Sequence, residues 1–382
     1  MSTSPQVAVY YFAQYHRDPL NDTLHHPGWT EWELVQQAQP RFPGHHQPLL
    51  PLWGYEDEAD PAVFAKKIAA AADHGIDCFI YDWYWYQGGP FLHRALEEGY
   101  MQASNRGRMR FALMWANQDW WDLYPAPLEG DYDVLLSGTV TRTIFDAACD
   151  YVIAHYFSHP GYWQLDGCPY FSIYELSHLV HDLGGVEATR AALEGFRAKV
   201  RAAGFPDLHL NAVLMGMQTL WGTLTPPEDA SAVSGPALAA ALGVQSVTTY
   251  SWCHHMDLTP FPAIEYAQAA AQMRRFWQKT AAEYSIPYHP TVSMGWDSSP
   301  RTDPASPFVA GHYPYLPVLV NNTPEAFAAS LQEAKEFLAT RPANERVAVI
   351  NAWNEWTESS YLEPDTVHGM AYLEAIKRVF GD

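Results

Sequence analysis

Eight short runs of apolar and β-branched residues recur along this 382-residue chain, each ending in polar or aromatic residues and most followed by a helical pattern. They occupy residues 7–16, 77–85, 110–118, 168–175, 209–216, 246–252, 290–297 and 346–356. Between them the spacing predicts helices at 61–74, 143–156, 186–203, 263–284, 324–340 and 369–380. The first helix is clearly punctuated, with Asp60 and Pro61 as an N-cap and first-turn proline and Gly75 as a stop. Strands alternating with helices bury both faces of a parallel sheet, and eight of them close it into a (β/α)8 TIM barrel of the α/β class. The rival, an open doubly wound sheet, would carry a glycine-rich phosphate loop after its first strand, and the chain has none there. No linker or low-complexity segment interrupts the pattern, so the expectation is a single domain over 1–382. Its long loops, 16–60, 118–140 and 297–322, follow strands and so belong to the C-terminal face, where such barrels build their functional cleft.

Composition narrows the partner. With 43 acidic and 22 basic residues the formal charge is −21, which repels phosphate backbones and anionic membrane surfaces, so nucleic acid is not expected. No apolar run approaches the ~18 residues that membrane insertion needs. The first residues lack a basic start followed by an apolar stretch, so a cytoplasmic location is the expectation. Cys78, Cys149, Cys168 and Cys253 are far apart and read as small core residues rather than a disulfide framework or a zinc site. The histidine doublets His25-His26, His45-His46 and His254-His255 lack metal-ligand spacing, and neither a metal nor another cofactor is expected. Aromatic residues make up 14% of the chain, including 15 Trp and 23 Tyr, and supply flat faces with polar tips that suit sugar rings.

The strand ends carry the candidate chemistry. They offer Tyr15 and His16; Asp82, Tyr84 and Trp85; Asn117, Asp119 and Trp120; Glu175; His254 and His255; Trp296 and Asp297; and Asn354, Glu355 and Glu358. A purely structural barrel end needs only solvated charges and turn residues, so repeated carboxylate-plus-aromatic endings favour a sugar-binding groove. The eighth run sets Glu355 and Glu358 three residues apart among indole rings. Cleavage of a glycosidic bond requires one carboxyl that stays protonated, one that stays ionised, and apolar walls that hold their pKa values apart. Strand alternation places Asn351, Trp353 and Glu355 on one face, where partial desolvation would raise the pKa of Glu355. The plainer reading, an ion pair or a helix cap, is weakened because no Lys or Arg lies between Arg346 and Lys377. Asp82 reads equally as a ligand-binding acid or as the buried partner of a backbone amide.

In order along the chain, several motifs resemble those of glycoside hydrolase family 99-like proteins, including relatives among bacterial O-antigen genes labelled as glycosyltransferases. The resemblance covers 10–16, 28–32, 44–48, 81–89, 115–117, 159–162, 166–169 and 361–365, and is most specific at Ala352-Trp-Asn-Glu-Trp-Thr-Glu358. It implies a (β/α)8 barrel and adds Trp29, Glu31, His45 and Tyr361 to the substrate-binding candidates. Characterised family 99 hydrolases cleave α-mannosidic linkages inside chains with retention, using the two glutamates of the matching motif. Carried over, Glu355 acts as base on the sugar's own 2-hydroxyl, forming a 1,2-anhydro sugar, and Glu358 as acid on the departing oxygen; the roles reverse as water opens the ring. The 2-hydroxyl must lie trans to the leaving group, as in α-mannosides and α-rhamnosides but not α-glucosides. Gln118, Thr357 and Glu175 stand where the O-antigen relatives usually carry Glu, Gly and Arg, so the resemblance supports the reaction more than the substrate. The expected function is a retaining glycoside hydrolase, endo-acting on α-manno- or α-rhamno-configured linkages of an oligosaccharide or polysaccharide. The alternative is a glycosyltransferase of bacterial surface polysaccharide synthesis, which would need a metal-binding acidic motif or a basic pocket for a diphosphate; neither stands out in this chain.

Overall fold

The computed structural model describes residues 4–214 and 235–381, and the eight runs form the eight parallel strands of a barrel. These are β1 (Gln6–Tyr11), β2 (Cys78–Tyr86), β3 (Arg110–Trp115), β4 (Cys168–Ile173), β5 (His209–Val213), β6 (Ser246–Thr248), β7 (Tyr288–His289 and Thr291–Ser293) and β8 (Val347–Asn351). Residues 215 and 216, the end of the fifth predicted run, lie outside the described residues. Most strands are shorter than their apolar runs because the last residues of each run leave the ladder and turn into the loops. Neighbours in sequence pair in space, and β1 closes against β8 with Val7 opposite Ala348. Pro290 has no N–H to give and divides β7. Its first piece pairs with β6 and its second with β8, so the circle closes through this strand. The Pro290 carbonyl still accepts from Val349 N at 3.0 Å.

Successive side chains alternate between the barrel interior and the helix layer. Ala8, Tyr10, Ile80, Ala112, Met114 and Val349 pack inside, whereas Val9, Phe79, Tyr81, Phe111 and Leu113 pack outside. Between β4 and β7 the interior is polar and internally bonded. Ser172 Oγ donates to Asn211 Oδ1 (2.7 Å), Asn211 Nδ2 donates to Ser246 Oγ (2.9 Å), and Thr248 Oγ1 donates to the His289 carbonyl (2.8 Å).

Helix α1 (Pro61–Asp73) starts where its signals predict, with Asp60 accepting from Ala62 N at 2.7 Å, and Gly75 follows it at φ +84°. The other predicted helices form as Arg142–Val152, Val186–Ala202, Tyr266–Glu283, Pro324–Ala339 and Ala371–Phe380. The helix expected from 263 starts late because Ala263–Glu265 first pair with Val318–Val320 as a short parallel ribbon. Several short helical connectors were not anticipated, among them Pro19–Leu24, Trp32–Gln37, Ala95–Tyr100, Leu176–Asp182 and Gly235–Ala241. Among the described residues no helix is long and apolar enough to cross a membrane. The four cysteines are unpaired, and three of them are buried.

Burial holds several core histidines neutral, His16 and His289 down to about 3 and His209 down to about 4 from 6.5. The unfolded chain protonates these rings near 6.5 and the folded chain does not. The stability they contribute is complete above that pH and is lost as pH falls toward the folded values, by roughly 1.4 kcal/mol per pH unit for each ring. Urea unfolding at about pH 5 should therefore have a clearly lower midpoint than at about pH 7; coincident midpoints would contradict this.

Candidate active site

Strand β8 ends at Asn351, the Asn351–Ala352 peptide is cis, and Asn354–Glu355 then pairs antiparallel with Ser360–Tyr361. The alternation expected to hold Asn351, Trp353 and Glu355 on one face therefore fails. Trp353 packs outside the barrel edge-on to Phe79 (centroids 5.1 Å) and donates its indole N–H to Glu363 Oε1 at 3.0 Å. Trp356 donates to the other oxygen of Glu363 at 2.8 Å. Asn354 clasps the end of the first strand segment, accepting from Phe12 N (2.8 Å) and donating to Phe12 O (2.7 Å) and Glu58 Oε1 (2.6 Å). Lys67 of α1 lies between Glu58 (2.6 Å) and Glu363 (2.7 Å), buried like both of them. Burial alone would lower the Lys67 ammonium, but Glu363 and Glu58 hold it above its usual value.

Above this support a cleft of about 640 Å3, measured out to open solvent, opens at the C-terminal ends of the strands. Seven of the sequence candidates line it: Asp82, Tyr84, Asp119, Trp120, His254, Glu355 and Glu358. The loop after β3 folds its own ribbon, Trp120–Trp121 against Val134–Leu136, and presents Trp120, Trp121 and Tyr124 as an aromatic wall.

The remaining candidates do not line this cleft. Tyr15 packs at a tilt against Trp32 (centroids 4.0 Å) and accepts from Thr357 N (3.3 Å), while His16 is buried with neither ring nitrogen bonded. Trp29 stacks on His25 and stands edge-on behind Tyr124. Trp85 stacks on Trp83 in the outer layer, as strand alternation on β2 requires. Asn117 ties two strand ends together through the Glu175 backbone, donating at 3.0 Å and accepting at 2.9 Å. Asn354 is the clasp just described. His45, Trp296 and Tyr361 line a second depression, about 850 Å3 measured out to open solvent, between the loops after β1, β7 and β8. There His45 Nε2 lies 2.7 Å from Asp297 Oδ2, and Tyr361 donates to Asp365 at 2.9 Å. Burial would raise Asp297, yet the His45 and Gln47 donors bring it below the usual carboxylate range. Among the described residues no group of three or more His, Cys, Asp or Glu is placed to hold a metal ion.

The two glutamates have unlike surroundings. Glu355 Oε2 accepts from the Tyr250 hydroxyl at 2.8 Å, and burial with the nearby Glu358 pushes its carboxyl well above the usual range against the pull of Arg301. Glu358 Oε1 accepts from Arg301 Nη1 (3.1 Å) and from Tyr313 (2.5 Å). Arg301 also pairs with the fully buried Glu31 (2.9 Å), to which Thr357 donates at 2.5 Å. Burial raises Glu31 despite that arginine. Glu31 thus does not line the cleft and reaches the site through Arg301 and Thr357. The shortage of cations near Glu358 in sequence proves misleading in space, because the loop after β7 supplies one.

Sequence reading missed Arg301, Tyr313, Tyr250, Phe12, Gln14 and Tyr174, all of which line the cleft. Strand parity could have found four of them, since Phe12 and Gln14 continue the inward series of Tyr10, Tyr174 that of Ser172, and Tyr250 that of Thr248. Arg301 and Tyr313 sit in a long loop where no periodicity applies.

A parallel eight-stranded barrel with paired carboxylates and an aromatic wall at its C-terminal face has the architecture of glycoside hydrolase-like proteins. Solved structures with this fold include a GH99 endo-alpha-mannosidase from Bacteroides thetaiotaomicron in complex with bis-tris-propane, at 14% identity and a TM-score of 0.59, covering 99% of this chain and 96% of that one. A glycoside hydrolase-like protein matches with a TM-score of 0.61 at 14% identity over 99% and 94% of the two chains. The chain belongs to the family described as Glycosyltransferase WbsX, whose model matches residues 7–376. It is also 28% identical over 379 residues to the uncharacterized protein WxcX of Xanthomonas campestris pv. campestris (strain ATCC 33913), covering 97% of this chain. The same identity and coverage hold for WxcX of strain B100, and the chain spans about half the length (49%) of each. The family 99-like relation read from the motifs is borne out.

Replacing Lys67 by Met would leave Glu58 and Glu363 buried with no countercharge, a change that typically costs about 3–5 kcal/mol. Denaturant unfolding at neutral pH checks this, with an unchanged midpoint counting against a charged cluster.

Proposed function

We propose that residues 1–382 act as one catalytic barrel, a retaining glycoside hydrolase that cleaves α-manno- or α-rhamno-configured linkages within an oligosaccharide or polysaccharide. The observation that carries this reading is the pair Glu355 and Glu358, facing one cleft with unlike partners: a tyrosine on one, an arginine and a tyrosine on the other. Acid–base pairs work when their environments separate their proton affinities. In this reading Glu355 takes the proton of the substrate's 2-hydroxyl, the freed oxygen attacks the anomeric carbon, and Glu358 protonates the departing oxygen. Both donors to Glu358 bind Oε1, which leaves Oε2 to carry the transferable proton. Water then opens the 1,2-anhydro sugar with the roles reversed. Trp120, Trp121 and Tyr124 offer stacking faces for sugar rings, and Asp119, Gln14 and His254 offer hydrogen-bonding groups for hydroxyls. Burial holds His254 down to about 3, so its ring meets the substrate neutral.

A glycosyltransferase is the second reading, favoured by the description of the family. A sugar-nucleotide diphosphate needs positive charge to offset it. Arg301 is the one Lys or Arg among the described residues lining the cleft, and Glu31 and Glu358 already engage it. Titration calorimetry with nucleotide sugars separates the readings, since tight binding would favour transfer.

Replacing Glu358 by Gln should lower turnover of glycosides with poor leaving groups by ~10²–10⁴-fold while sparing binding, the range expected for a lost general acid. Undiminished turnover would remove Glu358 from the chemistry. A substrate methylated at the 2-hydroxyl of the cleaved sugar should be inert, and its hydrolysis at the normal rate would exclude the anhydro-sugar route.

A further inference from the structure

Tyr250 stands between two carboxyl groups with a single proton to give. Its hydroxyl lies 2.8 Å from Asp82 Oδ2 and 2.8 Å from Glu355 Oε2. A phenol has one O–H, so both contacts are hydrogen bonds only when one carboxyl is itself protonated and donates to the phenolic oxygen. We propose that Asp82 and Glu355 share one proton through Tyr250, and that Asp82 carries it, as a positioning residue that leaves Glu355 ionised to act as the base. The catalytic consequence rests on the hydrolase reading above; the sharing of the proton does not.

The partners of the two carboxyls decide which one holds the proton. Besides Tyr250, Glu355 has Asn351 Nδ2 at 3.4 Å and the Arg301 guanidinium at 3.9 Å. Asp82 Oδ2 has Tyr250, and Asp82 Oδ1 is buried with no hydrogen-bond partner among the described residues. A carboxylate with a bare buried oxygen costs more than a neutral acid in the same place. Burial raises both groups well above the usual range, so the pair resists holding two negative charges. The other groups facing Tyr250 do not change this balance. Tyr10, Tyr84, Tyr174 and Cys253 are raised by burial and stay neutral, and His254 is neutral as well. Arg301 remains as the charged neighbour, and its guanidinium sits against Glu355.

The protons balance at each step. At rest Asp82 donates to the Tyr250 oxygen and Tyr250 donates to Glu355, so the pair bears one negative charge. When Glu355 takes the hydroxyl proton of the sugar, a substrate O–H bond breaks, a carboxyl O–H bond forms, and the charge passes to the attacking oxygen. The leaving oxygen takes its proton from Glu358. As water opens the ring, one of its protons goes to Glu358, and Glu355 returns its proton to the 2-oxygen. Asp82 keeps its proton throughout.

Carboxyl titration tests this without substrate. With 13C-carboxyl-labelled Asp and Glu, the two signals are assigned by their loss in Asp82→Asn and Glu355→Gln and followed by NMR against pH. Asp82 is expected to stay protonated through neutral pH while Glu355 is ionised. Asp82→Asn, whose amide donates to Tyr250 as the protonated acid does, should leave Glu355 ionised and titrating in a single step. Tyr250→Phe should raise the Glu355 midpoint by about one pH unit or more, the size of shift that marks interacting sites. A wild-type protein with Asp82 ionised at neutral pH would overturn the proposal, and that measurement needs no variant to fold. Absence of glycoside cleavage would overturn the hydrolase reading and leave these titrations as they are.

Discussion

The site depends on a cation buried beneath it. Lys67 of α1 reaches Glu58 and Glu363, and these two carboxylates between them receive Asn354, Trp353, Trp356 and Tyr11. Three side chains of the segment that carries the candidate glutamates are thereby fixed from below by charge-assisted hydrogen bonds. Such a cluster is expensive to bury and stabilises the fold little compared with an apolar substitute, but it accepts only one arrangement of donors. That selectivity holds Glu355 and Glu358 toward the cleft after the strand has ended.

A second buried cation organises the opposite wall. Arg301 joins Glu31, from the loop after β1, to Glu358 after β8, and its guanidinium lies over the ring of Phe12 at 5.4 Å. The protein carries a formal charge of −21, yet places one arginine where three acids converge. Its planar fork suits that position, because several donors at fixed angles serve several oxygens at once. Glu355 is the more distant of these acids from Arg301, so the Tyr250 and Asp82 contacts weigh more in its proton balance.

The fold was largely legible in the sequence because a barrel strand is buried on both faces. Its residues read as a near-continuous apolar run, from Val7 to Tyr11 or from Val347 to Ile350, whatever lies around them. The residues at the site were less legible. Asp82, Asp119, Trp120 and the glutamate pair stood out by type, whereas Tyr250, Phe12, Gln14 and Tyr174 needed strand parity to be applied with the correct end point. Parity failed where it was applied past Asn351, since the strand had already ended and Trp353 turned outward.

The sequence by itself determined the eight-fold alternation, the position of α1 and the pair Glu355 and Glu358, because local patterning and residue chemistry act within a few turns of chain. Tertiary structure alone decided which groups surround that pair. Arg301 and Tyr313 come from the loop after β7, Tyr250 from the end of β6 and Asp82 from β2. The proton affinity of a carboxyl follows from burial and from charges within a few ångströms, and those distances exist only once the barrel has closed.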